Sequence, residues 1–383
     1  MDEMIPVAAP ALWGNEKRYV NECLDSTWIS SIGRFIGELE KAFALEHGVG
    51  HAMSCSNGTV ALHLCLLALG VGPGDEVLVP SLTYVATANA VRYCGAEPIF
   101  VDSDLASWNL DPEDLARKLS PRTKAIIAVH LYGKPAPMQE IMAVARAAGV
   151  KVVEDVAEAV GARYRGRPAG SIGDLAAFSF FGNKILTSGE GGMVVTDDPE
   201  LAARVRQLKG QGQDPQRRYW FPVVGYNYRM TNIQAAIALA QLEKLDEYLV
   251  WRDEIAAWYR AELEGNPAIS WPASDGSERS VCWLFSVVLD LDAGAGRDQV
   301  MAHLQRSGIE TRPFFYPCHT LPPYAAAASV ADCPRAEWLS SRGLSLPTWV
   351  GMTREHARRV ASSLLSALAA VSGPRGIAVG TSL

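Results

Sequence analysis

The sequence predicts an α/β protein with a large domain over residues 1–250, in which helices cover a mainly parallel mixed sheet, and a smaller C-terminal α/β domain over residues 251–383. Short β-prone runs alternate with helical segments up to residue 148, which is the pattern of a parallel sheet covered on both faces. Strand and helix signals resume after a long segment without Gly or Pro, residues 232–264. A length of 383 residues also favours two domains.

The predicted elements follow one another in a regular order. Residues 1–24 contain a modest amphipathic helix that is open to packing with the small domain. In the large domain, helices are predicted at 35–46, 60–69, 85–93, 112–118, 138–148 and 199–209, and strands at 76–80, 97–101, 125–129, 152–153, 175–181 and 192–196. One long helix, open to a bend, is predicted at 232–264, followed by strands at 281–291 and 309–315, helices at 297–307 and 353–371, and a frayed tail at 373–383.

Composition excludes several classes of function. The net charge of −7 offers no basic field for nucleic acid or an anionic membrane. The longest apolar run, residues 60–71, is interrupted by His63 and is too short to span a bilayer. The N-terminus has no signal-peptide pattern, so a cytoplasmic protein is expected. Seven Cys at irregular spacing, without a CxxC, predict neither a disulfide framework nor a metal site.

The chemistry is concentrated in residues 152–197, where three short apolar runs each end in polar or Gly-rich sequence. Ligands of open α/β sheets collect at such strand ends. Lys184 lies between an aromatic run and a GEGG turn, where desolvation of its amine would lower the pKa and make it a nucleophile. Asp155 follows the first run. Alone, such a Lys is usually a surface charge and such an Asp a turn residue or cap, but together they are the signature of pyridoxal phosphate (PLP) enzymes.

Several motifs make a family resemblance specific. EDVAEA, SFFGNK and GEGGMV, in this order, resemble the DegT/DnrJ-type PLP-dependent sugar aminotransferases. SNGTVALHL, PSLTYVATANAV, VHLYG and GYNYRMTNIQAA are similar to further blocks of that family, so the resemblance runs from about residue 28 to about residue 349. It implies the fold of a fold-type-I aminotransferase, with PLP as cofactor, Lys184 as the Schiff-base lysine and Asp155 as partner of the pyridinium nitrogen.

The resemblance also implies the rest of the cofactor site. Gly58 and Thr59 match the family's phosphate loop, Tyr84 its stacking aromatic and Ser179 its phosphate-binding serine. Without the resemblance, SNGT would be read as helix capping and Tyr84 as core packing. Asn227 matches an Asn that reaches the PLP phosphate of the neighbouring subunit, which implies a homodimer with shared active sites.

Four further residues are candidates with less definite roles. Glu158 stands where several family members have Gln or His near the PLP phenolic oxygen, so its role is left open. Arg229, Arg312 and His319 are candidates for contact with substrate, and a structural salt bridge is an equal alternative for Arg229.

The reaction implied by the resemblance is a transamination in two half-reactions. Glutamate would donate the amino group, Lys184 would move the proton, and a nucleotide-linked keto-deoxy sugar would accept. Residues 220–232 and 310–324 are most similar to family members that aminate C4 of GDP-4-keto-6-deoxymannose. A dTDP- or UDP-linked keto sugar and a keto-cyclitol are alternative acceptors. A dehydratase branch has His in place of Lys184, and a catalytically idle PLP fold would not need Lys184, Asp155 and Ser179 together.

Overall fold

A computed structural model describes residues 4–274, 276–291, 295–325 and 332–372, so the predicted tail lies outside the described residues. The helices are α1 (Glu16–Asp25), α2 (Arg34–His47), α3 (Gly58–Ala68), α4 (Ala86–Tyr93), α5 (Pro112–Lys118), α6 (Met138–Ala148), α7 (Pro199–Lys209), α8 (Asn232–Leu242), α9 (Leu245–Leu263), α10 (Ala295–Arg306), α11 (Pro334–Arg342) and α12 (Arg354–Ser372).

The strands are β1 (His51–Cys55), β2 (Glu76–Pro80), β3 (Glu97–Val101), β4 (Thr123–Val129), β5 (Lys151–Asp155), β6 (Arg163–Tyr164), β7 (Arg167–Pro168), β8 (Leu175–Ser179), β9 (Gly192–Thr196), β10 (Ile269–Ser270), β11 (Glu278–Arg279), β12 (Phe285–Leu289), β13 (Arg312–Pro313) and β14 (Gly343–Leu346). No helix within the described ranges is long and apolar enough to cross a membrane.

The main sheet has seven strands in the order β1-β9-β8-β5-β4-β2-β3, and only β9 runs against its neighbours. Helices cover both faces, because Val77 and Val79 of β2 point into one apolar core while Leu78, between them, points into another. This double burial explains the continuous apolar runs of the strands. The predicted α/β class with a mainly parallel mixed sheet is confirmed.

A separate core lies in the C-terminal part of the chain. There the sheet β10-β12-β14-β13 packs with α10, α12 and the second half of α9. Ile5 belongs to this core and pairs with Ile309, whereas α1 packs on α8. The N-terminal segment therefore contacts both parts of the molecule. Because α9 runs through residue 250, the domain boundary at that point stays a prediction.

Some predicted elements differ from those observed. The segment 232–264 is two helices, because the chain breaks at Glu243 and Lys244 after the capping box of Thr231 and Gln234 has started α8. The strand predicted at 281–291 is only β12, because the buried Arg252 binds the carbonyl oxygens of residues 282 and 283 at 2.9 and 2.8 Å. The strand predicted at 309–315 reduces to β13 and the single bridge to Ile5.

Candidate active site

A cavity of about 330 Å³ lies at the carboxyl ends of the parallel strands β2, β5 and β8, beside the N-terminus of α3. It is lined by these sequence-predicted residues: Gly58, Thr59, Tyr84, Asp155, Glu158, Ser179, Lys184 and Arg312. Asn227, Arg229 and His319 do not line it. A cavity of about 490 Å³ around Trp271 and Arg260 contains neither Lys184 nor Asp155, so the chemistry belongs to the first cavity.

Lys184 lies in the turn between β8 and β9, with its side chain only 13 % exposed. Its Nζ is 3.7 Å from Glu158 Oε1 and 4.0 Å from the centroid of the Trp283 ring. Burial lowers the pKa of Lys184, and the negative charges of Glu158 and Asp155 oppose this effect. A neutral amine at this position is a competent nucleophile and base.

Asp155 is the last residue of β5, and it is buried. Its carboxylate accepts hydrogen bonds from Thr87 Oγ1 at 2.9 Å and from the N–H of Ala157 at 3.2 Å. Burial raises the pKa of Asp155, whereas these two hydrogen bonds and the charge of Lys184 favour the ionised form. The arrangement provides a fixed carboxylate that could hold a cationic ring nitrogen.

Glu154, the residue before Asp155, anchors the end of β5 to residues 170–173. Glu154 is fully buried and accepts hydrogen bonds from the N–H groups of residues 170, 172 and 173 at 2.7–2.9 Å. His130 Nδ1 accepts from the N–H of Ala136, so Nε2 carries the proton and donates to Glu154 at 3.0 Å. Burial would raise the pKa of Glu154, but His130 and the backbone donors bring it below its usual value. Sequence reasoning missed this anchor, although two adjacent carboxylates at a strand end were its signal.

The N-terminus of α3 forms the other end of the cavity. Asn57 caps the helix by accepting from the N–H of Val60 at 3.0 Å. A Cβ on Gly58 would lie 2.6 Å from Cβ of Ser179, so only glycine lets that serine approach the helix end. This end of the cavity is therefore lined by the N–H groups of the helix start, by Thr59 and by Ser179. The positive end of the helix dipole there favours binding of an anion. The buried amine, the carboxylate and this anion site together fit PLP.

Aromatic side chains form the walls of the cavity. Tyr84 is 58 % exposed and lies 5.6 Å from Phe315, ring centroid to centroid, so it is a wall residue and not part of the core. Trp283 covers Lys184 and donates from Nε1 to the carbonyl of Asn183 at 2.7 Å. Trp283 and Phe315 were missed at the sequence level: Trp283 lies outside the motifs, and nothing in the block 310–324 singles out Phe315. Both come from the C-terminal part of the chain.

His319 lies outside the cavity, in the core. Its Nδ1 is 2.6 Å from Ser81 Oγ, and its Nε2 is 3.0 Å from Glu337 Oε1. The preceding residue, Cys318, donates its N–H to the carbonyl of Ser81 at 2.7 Å. These contacts clamp the segment after β13 onto the turn that carries Tyr84.

Asn227 and Arg229 are exposed and lie together on a loop away from the cavity. Arg229 donates to Asn227 Oδ1 from Nη2 at 3.1 Å and from Nε at 3.3 Å. Asn227 also pairs with Gly210 in an isolated bridge. Within one chain, neither side chain contributes to the site.

The fold and the site define a PLP-dependent aminotransferase. The profile of the DegT/DnrJ/EryC1/StrS aminotransferase family matches residues 11–365, and the chain belongs to that family. It is 56 % identical to GDP-perosamine synthase of Caulobacter vibrioides, over 94 % of this chain and 97 % of the relative. It is 44 % identical to the Vibrio cholerae protein of the same name, over 94 % and 98 %. The PLP form of Spr1654 from Streptococcus pneumoniae is similar in structure, with a TM-score of 0.90 and 26 % identity over 96 % of this chain and 99 % of that one.

Proposed function

We propose that this enzyme transfers the amino group of glutamate to C4 of GDP-4-keto-6-deoxymannose in the cytoplasm, the activity of a GDP-perosamine synthase. The observation that carries the proposal is the 56 % identity to a GDP-perosamine synthase over almost the whole of both chains. A second and a third relative of that name, at 47 % and 44 % identity, support the same acceptor.

The proposed roles of the residues follow from their positions. Bound PLP supplies an electron sink for the charge left when a proton leaves the amino-bearing carbon. Lys184 holds the cofactor through Nζ and, as the free amine, takes and returns that proton. Asp155 keeps the ring nitrogen protonated with its fixed carboxylate. The helix start at Gly58, together with Thr59 and Ser179, binds the phosphate.

The walls of the cavity support the same chemistry. Trp283 lies over the amine of Lys184, and the burial of this amine lowers its pKa. Tyr84 and Phe315 form further walls of the cavity. Arg312 lies at the edge of the same cavity, where its guanidinium can bind the carboxylate of glutamate or a phosphate of the sugar nucleotide. Arg312 is thus the proposed substrate residue that lines the cavity.

A homodimer with shared active sites is part of the proposal. Asn227 and Arg229 are exposed on a loop that follows the exposed apolar side chains Trp220, Phe221 and Val224. An apolar surface of this kind is suited to burial against a second copy of the chain. In that dimer, the Asn227 amide would reach the phosphate site of the partner subunit.

The acceptor is tested by single-turnover assays of the enzyme loaded with pyridoxamine phosphate. GDP-4-keto-6-deoxymannose, dTDP- and UDP-linked 4-keto sugars and a keto-cyclitol are offered separately, with Lys184→Ala as the control. We expect amination of the GDP-linked sugar at the highest rate. Faster amination of a dTDP- or UDP-linked sugar, or of the keto-cyclitol, would contradict the proposed acceptor and leave the aminotransferase class intact. A GDP-sugar product with nitrogen at another carbon would contradict the C4 assignment.

A further inference from the structure

Glu158 is held so that one of its oxygens faces the amine of Lys184. The side chain is buried, three residues after the end of β5. Its Oε2 accepts a hydrogen bond from the N–H of Tyr132 at 2.7 Å, which fixes the carboxyl group. Its Oε1 lies 3.7 Å from Nζ of Lys184. The carboxyl group of Glu158 and the amine of Lys184 are thus a buried acid and a buried base that face each other.

The two carboxyl groups near Lys184 are held differently. Asp155 accepts hydrogen bonds from both a hydroxyl and a backbone N–H, which stabilise its ionised form independently of Lys184. Glu158 has the backbone N–H of Tyr132, and Lys184 is the largest influence that favours its charge. A further charged group that acts on the amine of Lys184 is Arg312, whose positive charge disfavours the ammonium form.

Burial makes the charge states of Glu158 and Lys184 depend on each other. It raises the pKa of Glu158 to about 7 and lowers the pKa of Lys184, so each group is poised to become neutral when the other does. Desolvation offsets part of the attraction between the two charges, so burial brings the ion pair and the corresponding neutral pair closer in free energy. This is the condition for easy transfer of a proton between two groups.

We propose that Glu158 is the proton partner of Lys184. In the transfer, an N–H bond of the Lys184 ammonium breaks and an O–H bond forms at Glu158 Oε1. The products are a neutral amine and a neutral carboxylic acid, and the reverse transfer restores the ion pair. A small rotation of the flexible Lys184 side chain brings the two atoms from 3.7 Å to the roughly 2.8 Å of a charge-assisted hydrogen bond.

This assignment gives the departure at position 158 a chemical role. A Gln there could accept the N–H of Tyr132 but could not take up a proton at its amide oxygen near neutral pH. Glu158 can, so it lets the amine become a nucleophile without releasing a proton to the solvent. The proposal rests on the aminotransferase site and not on the identity of the sugar nucleotide. Its test therefore uses the protein without cofactor or substrate.

The first test compares apo-enzymes of wild type and Glu158→Gln. Lys184 is acetylated with limiting acetic anhydride at a series of pH values, and its modification is quantified by mass spectrometry. Because the Glu158 charge stabilises the ammonium, its removal should move the labelling curve to lower pH. At a fixed pH below the amine pKa, a curve that lies one pH unit lower corresponds to labelling that is about tenfold faster.

A matched control is Glu16→Gln, which neutralises another buried carboxyl group, on α1 and outside the cavity. Its labelling curve for Lys184 should coincide with that of wild type. Circular dichroism establishes that each variant is folded. If the curves of folded Glu158→Gln and wild type coincide, the proposal is overturned.

A second test does not depend on a change at Glu158 alone. In Lys184→Met, the carboxyl group of Glu158 loses its positive partner and should be protonated at neutral pH. Infrared difference spectra at pH 7 should then show a protonated carboxyl band that is stronger than in wild type and absent from the double variant Lys184→Met/Glu158→Gln. A folded Lys184→Met protein without that band would also overturn the proposal.

Discussion

Lys184 and Asp155 lie in one buried cavity, and burial disfavours the charged form of both. The charge of each group partly offsets this effect in the other, since opposite charges favour ionisation. Asp155 has additional donors in Thr87 and Ala157, so it is the better fixed of the two. The difference suits a permanent anion beside the cofactor ring and an amine that changes its protonation state during the reaction.

Lys184→Ala should lower the transamination rate by at least about 10²–10⁴-fold, the usual contribution of a positioned acid or base. The fold should remain, because the side chain is a reactive group at the edge of a cavity. Borohydride reduction of wild type followed by peptide mass spectrometry should find the cofactor on Lys184. Full turnover by the variant, or attachment to another lysine, would contradict the assigned role.

Asp155→Asn should reduce transamination by about tenfold or more. Loss of the carboxylate charge should lower the pKa of the ring nitrogen, and a decrease of one pKa unit already makes protonation about tenfold less favourable. The shape of the side chain is nearly retained, so PLP should still bind. The rate and the visible spectrum are measured together, with Asp25→Asn at the exposed end of α1 as the control. An unchanged rate in a PLP-loaded variant would refute the role.

Among the elements, the turn between β8 and β9 and the turn after β2 determine the shape of the cavity. The reversal of β9 against β8 brings Lys184 back over the strand ends. The turn after β2 carries Tyr84 and is clamped by Ser81, His319 and Glu337 to the C-terminal part of the chain. His319 therefore contacts the turn that carries Tyr84 and does not line the cavity.

His319→Phe should lower stability by about 1–3 kcal/mol, because the buried hydroxyl of Ser81 loses its partner. Melting temperature and the separate effects on kcat and KM are measured. A residue that only contacts substrate would raise KM and leave the melting temperature unchanged. Ser81→Ala removes the same hydrogen bond from its other side, so the effects of the two changes should be less than additive in the double variant. Additive effects would exclude the clamp.

At the scale of the whole molecule, one prediction concerns how activity depends on the proposed dimer, and another concerns how stability depends on pH through the buried core. The C-terminal part of the chain helps to form the cavity, since Trp283 and Phe315 pack in the core of the main sheet and line the cavity. Asn227 and Arg229 are exposed and lie outside the cavity of their own chain, as the proposed dimer requires. Activity should therefore depend on the association of subunits.

Mixing Lys184→Ala with Asn227→Asp should restore part of the activity. In a mixed dimer, one site would carry both changes and the other would carry neither. Asn227→Asp alone should weaken PLP binding, because a carboxylate would face the phosphate. Exchange of subunits is followed with differently tagged chains, and the mass of the active species by sedimentation. Exchange without recovered activity, or an active monomer, would show that sites are not shared.

Acid should destabilise the enzyme through His47, whose pKa burial lowers from 6.5 to about 4. Between these values the unfolded chain binds a proton that the folded chain does not, so stability falls as pH decreases from 6.5 towards 4. The loss at the lower limit is roughly 3 kcal/mol. His47→Gln should flatten this part of the melting-temperature profile, whereas His303→Gln on α10 serves as the control. An unchanged slope in His47→Gln would contradict the assignment.

The sequence by itself determined the α/β class, six of the seven strands of the main sheet, without β1, and the pair Lys184 and Asp155. These features are local: a strand run and the polar residue at its end are adjacent in the chain, and parallel strands bring such ends to one edge. Only the tertiary structure decided that Trp283, Phe315 and Arg312 line the cavity and that His319 does not. Contacts between segments far apart in the chain depend on how whole elements pack, and no local periodicity encodes them. The bend left open in the predicted helix 232–264 is the break between α8 and α9, and its position was not predicted, since residues 243 and 244 are good helix formers.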